Sequence, residues 1–119
     1  MPNPVVRWQI VAPDAAATTT FYQKLFGWSV SQDNALGYRQ ITTGGDGIDG
    51  GVWPGPAHLE RPFVQLFVEV EDIDAAVTDA TKLGASVIVP KSVLPDGDAI
   101  AVLLDPNGMS FAVCTRLHA

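Results

Sequence analysis

The sequence contains little charge and few basic residues. Only 17% of its 119 residues are charged, compared with about 25% in an average soluble domain. The 13 acidic residues outnumber the 7 basic ones and give a net charge of -6. Such a chain lacks the basic face that nucleic acids require and that anionic membrane surfaces attract. We therefore expect neither a nucleic-acid partner nor a membrane partner.

Cysteine and long hydrophobic runs are also scarce. The single cysteine, Cys114, cannot form an internal disulfide, which fits a reducing cytoplasm. No apolar run approaches the about 18 residues of a membrane span, and residues 1–4 do not resemble the start of a signal peptide. These absences predict a cytoplasmic protein. With no base or positive field evident near Cys114, we expect a buried structural thiol rather than a nucleophile.

The hydrophobic residues that are present point to one folded domain. They make up 47% of a chain whose length suits a single compact domain, residues 1–119, with a core of its own. The low charge suggests that part of the apolar surface is covered by a second subunit, so we expect a homodimer.

Two parts of the chain show the same order of predicted elements, which is a strand, an acid-capped helix, a glycine and three more strands. Module one covers about residues 4–53, a proline-rich linker covers 54–62, and module two covers about 63–115. Aligning Gly27 with Gly84 brings Asp14 beside Glu71, within a slip of one residue, and indicates an internal βαβββ repeat. The predicted helices are 15–26 and 73–83; the predicted strands are 5–11, 28–31, 37–42, 50–53, 63–70, 86–89, 99–104 and 109–114.

Short motifs in both modules match a known superfamily. They are Asp14, Phe21–Tyr22 and Phe26–Trp28 in the first, and Val68–Asp72, Leu83–Ala85 and Leu104–Gly108 in the second. Together they resemble the vicinal oxygen chelate superfamily of glyoxalase I, extradiol dioxygenases, and fosfomycin and bleomycin resistance proteins. The resemblance implies an α+β fold, in which paired βαβββ modules form an open, curled mixed sheet, a cup, with the helices on its outer face. It also implies dimerisation, but this fold hosts many activities.

The resemblance also locates the four positions at which metal-dependent members carry His, Gln or Glu ligands. In this sequence they correspond to Arg7, Gln65, Ala112 and a residue within 50–53. Arginine has no lone pair to offer a cation, and among the others only Gln65 is even a weak ligand. We therefore expect no metal and no cofactor. His58, in the linker, is expected to be solvated, although its role stays open.

Strand alternation indicates which side chains would line the cup. Trp8, Ile10 and Leu66 are expected beneath the helices, and the glycine-rich stretch 44–51 is expected to be a flap. Arg7 would bind a carboxylate or phosphate, form an internal ion pair with Glu69, or lie in an interface. Rim aromatics would stack on a planar ligand or pack internally. The predicted ligand-binding residues are Arg7, Gln9, Tyr38, Trp53, Gln65, Phe67 and Ala112.

These residues predict a small-molecule-binding protein that serves sequestration or resistance. Its expected ligand is a small organic molecule, anionic with an aromatic or apolar body. The alternative is a metal-dependent glyoxalase-like lyase or isomerase, or a dioxygenase-related enzyme, with a divalent metal. A third interpretation is a dimerisation module without a ligand. The sequence identifies no catalytic residue and leaves open whether the protein is an enzyme.

Overall fold

A computed structural model describes residues 2–31, 37–55, 61–93 and 97–115. These residues form two helices and eight strands of an open mixed sheet, which confirms the predicted α+β fold class. None of the described helices is long and apolar enough to cross a membrane. The elements are β1 Val5–Val11, α1 Ala15–Phe26, β2 Ser29–Ser31, β3 Arg39–Thr42, β4 Gly50–Trp53, β5 Phe63–Glu69, α2 Ile73–Lys82, β6 Ser86–Val93, β7 Ala99–Leu104 and β8 Ser110–Thr115.

The chain divides into two compact units. The first unit is Arg7–Gln65, and the second is Met1–Val6 with Leu66–Ala119. The strands of the first unit follow the order β2-β3-β4-β1 and those of the second unit the order β5-β8-β7-β6, except that Val5–Val6 of β1 fall in the second unit and Phe63–Gln65 of β5 fall in the first. In each, the strand before the helix pairs in parallel with the last strand, and the remaining pairs are antiparallel. This shared order matches the predicted βαβββ repeat, whereas the module limits 4–53 and 63–115 stay a prediction.

The two helices begin in the same way. The Asp14 carboxylate accepts the backbone N–H of Ala17 at 3.0 Å, and the Asp72 carboxylate accepts that of Ala75 at 3.1 Å. Each carboxylate pairs an N–H group that the first turn of a helix leaves without a backbone partner. The repeat-equivalent of Asp14 is therefore Asp72 rather than the neighbouring Glu71, and the alignment slips by one residue.

Each helix covers an apolar face of the strands in its own unit. In the first unit Trp8 and Ile10 pack with the buried cluster beneath α1, as predicted. In the second unit α2 packs on β6, β7 and β8, over Leu103. Leu66 was expected beneath a helix, but it is 47% exposed. The reason is that it lies on β5, outside the three strands that α2 covers.

Strand β6 is longer than the sequence predicts. The strand was expected to end at Val89 because proline follows, but it continues to Val93. Pro90 is tolerated because β6 is the outermost strand of its unit, and an edge position does not need every N–H group. Its pairing with β7 also shifts register at Val87/Val89 and Val89/Ser92, and such bulges accommodate a residue that cannot donate.

Strand β4 begins with two glycines, Gly50 and Gly51, and aromatic rings lie against their backbone. Gly50 and Gly51 belong to the strand and are buried, so the predicted flap does not include them. Neither has a positive φ. A methyl group on Gly50 would overlap the ring and carbonyl oxygen of Trp8, whose indole N–H donates to the Ile48 carbonyl at 2.8 Å. Glycine is therefore needed at position 50 because the tryptophan lies directly on the backbone.

We expect Gly50→Ala to destabilise the fold by about 1–3 kcal/mol, the usual cost of overpacking a filled site. Urea unfolding followed by tryptophan fluorescence measures this free energy. In a Trp8→Leu background the added methyl should cost less, because the ring that it displaces is gone. A cost below about 0.5 kcal/mol, typical of an unconstrained surface position, would contradict this account of Gly50.

Candidate functional site

The first unit has one face that α1 does not cover. Because Trp8, Ile10 and Val52 point towards α1, strand alternation places their neighbours Arg7, Gln9, Gly51 and Trp53 on the opposite side. The register supports this placement, since Gln9 pairs with Gly51 and Val11 with Trp53 across β1 and β4. We call this surface the site face; it comprises Arg7, Gln9, Tyr38, Gly51, Trp53 and Gln65.

Two glutamine side chains lie together on the site face. The Gln9 Nε2 group donates to the Gln65 Oε1 atom at 3.0 Å. Gln65 is only 4% exposed, whereas Gln9 is half-buried. The hydrogen bond aligns two uncharged amides, which can both donate and accept hydrogen bonds. Two of the predicted site residues are thus brought into direct contact.

Tyr38 covers the backbone next to this amide pair. A methyl group on Gly51 would overlap the Tyr38 ring and hydroxyl, so the phenol lies against the bare peptide of β4. Gly51 is also the register partner of Gln9, which places the phenol and the amide pair on the same face. Tyr38 was predicted from the sequence, whereas Gly51 was not. The available signal was the Gly50–Gly51 pair itself, because glycine inside a strand often marks a close approach of another group.

Arg7 supplies the positive charge of the site face. It precedes Gln9 by two residues, about 6.6 Å along a strand, and is half-buried. Among the described residues of the first unit, no carboxylate forms an ion pair with it. Glu69, the internal partner considered from the sequence, belongs to the second unit. Within its own unit, the guanidinium retains its capacity to bind an anion.

The remaining predicted site residues lie in different surroundings. Trp53 ends β4 and is partly buried, while its carbonyl accepts the Ala12 N–H at 2.9 Å. Phe67 and Ala112 pair across β5 and β8 in the second unit, where they form a buried cluster with Cys114. Cys114 is 7% exposed, as expected of a structural thiol. His58 lies outside the described residues.

Comparison with known proteins identifies the family. The model of the Glyoxalase-like domain matches residues 7–114. The chain belongs to this family. The match includes both helices, nearly all of the strand residues and the whole site face, and it confirms the resemblance to the vicinal oxygen chelate superfamily.

Curated relatives of this glyoxalase-like domain are longer proteins. CFP32, a candidate glyoxylase of Mycobacterium bovis, is 27% identical over 101 residues, covering 80% of this chain and 39% of CFP32. The anthracycline biosynthesis protein DauV of Streptomyces sp. strain C5 is 31% identical over 119 residues, covering 86% of this chain and 43% of DauV. The chain thus spans about two-fifths of the length of these relatives.

Solved structures share the fold at lower identity. The protein BH1468 of Bacillus halodurans has a TM-score of 0.70 at 12% identity, covering 100% of this chain and 98% of that one. The methylmalonyl-CoA epimerase of Streptomyces coelicolor has a TM-score of 0.66 at 18% identity, again covering 100% and 98%. A glyoxalase/bleomycin resistance protein/dioxygenase superfamily member from Vibrio splendidus has a TM-score of 0.64 at 17% identity, covering 96% and 98%.

The side chains of this domain do not fit the metal that many superfamily members use. Arg7 is a cation and Ala112 carries no donor atom, and Ala112 is fully buried among apolar side chains. The segment Gly50–Trp53 contains neither carboxylate nor imidazole, whereas divalent metals are held by such groups or by thiolates. Among the described residues, no three His, Cys, Asp or Glu side chains cluster in a way that could hold a metal ion.

We expect Gly51→Ala to displace the Tyr38 ring from β4 while lowering stability less than Gly50→Ala. At Gly51 the added methyl meets only a side chain, whereas at Gly50 it also meets backbone. Fluorine NMR of protein labelled with 3-fluorotyrosine can report the change, because the chain has two tyrosines and Tyr22→Phe assigns them. The Tyr38 resonance should shift in Gly51→Ala while that of Tyr22 does not. An unchanged Tyr38 resonance would show that the ring does not lie on Gly51.

Proposed function

We propose that this glyoxalase-like domain binds a small organic anion on the site face, without a metal ion. The observation that carries the proposal is the donor set, which consists of the Arg7 guanidinium, the Gln9–Gln65 amide pair and the Tyr38 phenol. These groups hydrogen-bond to oxygen atoms of a ligand but are poorly suited to hold a divalent cation. Sequestration of the ligand, or resistance to it, is the role that we infer.

Arg7 gives the proposed site its preference for negative charge. A guanidinium can bind a carboxylate or phosphate through two parallel hydrogen bonds. Its half-buried position strengthens such a pair, because the electrostatic interaction is screened less than in bulk water. The site would thus attract anions even though the net charge of the chain is -6.

The apolar part of the ligand would contact aromatic rings. Tyr38 lies on the site face, and Trp53 ends the adjoining strand, so either ring could stack on a planar molecule. The relative DauV is named for anthracycline biosynthesis, and anthracyclines contain planar fused rings with oxygen substituents. This chemistry fits the aromatic rings and the hydrogen-bond donors of the site face, so an anthraquinone that carries a carboxylate is a suitable probe.

Family membership supports a second candidate, a glyoxalase-like lyase. The relative CFP32 is described as a candidate glyoxylase, and a metal-dependent activity of this type would need carboxylate or imidazole ligands. Of the four positions in this chain that correspond to those ligands, three are a glutamine, an arginine and an alanine, and the fourth lies within Gly50–Trp53, which contains neither carboxylate nor imidazole. The donor set therefore favours metal-free binding, and metal titration separates the two candidates.

Two further features belong to the proposal. We infer a homodimer, because only 17% of the residues are charged and several large apolar side chains are exposed. We also place the protein in the cytoplasm, where its single, buried Cys114 would remain a thiol.

Arg7→Ala should weaken binding of anthraquinone-2-carboxylate by about 10- to 100-fold, the range expected when a hydrogen bond to a charged group is lost. Calorimetric titration measures the affinity, with the neutral anthraquinone-2-carboxamide as a matched probe. Lys24→Ala is the control variant. It also removes one positive charge, but from the last turn of α1, which packs against the other face of the strands.

Equal affinity for the carboxylate and the carboxamide would overturn the assignment of Arg7 as the anion-binding group. An unchanged affinity in Arg7→Ala would overturn it as well. A parallel titration of the wild-type protein with Zn²⁺ and Ni²⁺ tests the alternative enzyme. Stoichiometric binding of either ion, abolished by Gln65→Ala, would replace the metal-free proposal with the lyase.

A further inference from the structure

Helix α1 exposes large apolar side chains on one side. Phe21, Leu25 and Phe26 are 58%, 59% and 56% exposed, and nearby Val64 is 48% exposed. Positions 21 and 25 are one helical turn apart and share a side of the helix. We call this the α1 surface; it comprises Phe21, Tyr22, Leu25, Phe26 and Val64. Contiguous apolar surface of this kind usually marks an interaction site.

The aromatic rings of the α1 surface are held in place by contacts with one another. The Tyr22 ring meets Phe21 edge-on at 5.1 Å and stacks on Phe26 at 6.1 Å. It also stacks on Trp28 at 5.8 Å, which in turn lies 5.5 Å from Trp8. Side chains that are already ordered lose little conformational entropy when a partner binds, and aromatic residues of this type often dominate interface energetics.

A groove runs beside these rings. It lies between α1 and the start of β5 and has a volume of about 490 Å³, within the range of about 300–1,000 Å³ typical of binding pockets. Phe21 forms part of the wall of this groove. An exposed apolar side chain and an apolar groove therefore lie next to each other on the same surface. The groove is lined by Ile10, Ala17, Thr18, Phe21, Tyr22, Pro62, Phe63 and Val64.

The charge pattern favours a second copy of this chain as the occupant. The protein carries a net charge of -6, but no Asp or Glu occurs from Ala15 to Gln32, where Lys24 is the only charged residue. Helix α2, by contrast, carries the carboxylates of Asp74 and Asp79. Two acidic chains repel each other over most of their surfaces. At the α1 surface they could meet without bringing carboxylates together.

We propose that the α1 surface is the twofold interface of the homodimer, with Phe21 and Leu25 of each copy packed into the groove of the other. The inference rests on the homodimer proposed above and adds the surface that forms it. A twofold axis doubles every contact. The two exposed phenylalanines alone leave on the order of 200 Å² of surface open per copy, a substantial part of the about 1,000 Å² in total that a specific interface needs.

Sedimentation equilibrium of the full chain tests the proposal. The wild-type protein should have twice the chain mass of 12.6 kDa. Leu25→Glu and Phe21→Glu should each raise the dimer dissociation constant at least 30-fold, because each would place a carboxylate in an apolar contact. The controls add the same charge elsewhere: Gln23→Glu lies on another side of α1, and Leu83→Glu replaces a leucine that is 80% exposed in the second unit. Neither control should change the dissociation constant by more than about threefold.

The outcomes distinguish the surface from the homodimer. A wild-type protein that is monomeric at 200 μM would overturn both the homodimer and the assignment of the α1 surface as its interface. A dimer that persists in Leu25→Glu and Phe21→Glu, with circular dichroism unchanged, would overturn the α1 surface alone. The same would follow if Leu83→Glu dissociated the dimer as strongly as Leu25→Glu. Because none of these variants changes the site face, binding of anthraquinone-2-carboxylate remains a separate test.

Discussion

The absence of side chains at Gly50 and Gly51 shapes both faces of the first unit. Two consecutive glycines leave β4 bare above and below, and a different ring fills each space. Trp8 occupies the α1 side and Tyr38 occupies the site face. Any larger residue at either position would displace a ring. The core beneath α1 and the candidate binding surface therefore depend on the same short stretch of backbone.

The polar groups of the site face support the proposal that this domain binds its ligand without a metal ion. In a metal site, several ligand atoms direct their lone pairs at the metal ion. The site face instead presents the guanidinium cation of Arg7 and amide N–H donors. The Gln9–Gln65 hydrogen bond fixes the two amides, and Arg7 adds a permanent positive charge beside them. In the proposed complex, an oxygen anion of the ligand would accept hydrogen bonds from these N–H groups.

Some features could be predicted from the sequence because they depend on local chemistry. Helix α1 was predicted with its observed limits, since Asp14 caps one end and Gly27, at φ 74°, ends the other. The α+β class followed from the repeated order of elements. Strand β6 was predicted too short, because Pro90 normally ends a strand. Only the position of β6 at the edge of its unit, which the local sequence does not encode, makes that proline acceptable.

By itself, the sequence determined the order of elements, the N-terminal caps of the helices and the family. It also determined, through strand alternation, that Arg7 and Gln9 lie on one face. Each of these depends on neighbouring residues or on a pattern of short period. Tertiary structure decided that Gln9 bonds Gln65 from a strand 56 positions away, that Tyr38 lies on Gly51 and that Leu66 is left uncovered. These outcomes depend on which strands become neighbours, and residues distant in the chain meet only when the sheet has formed.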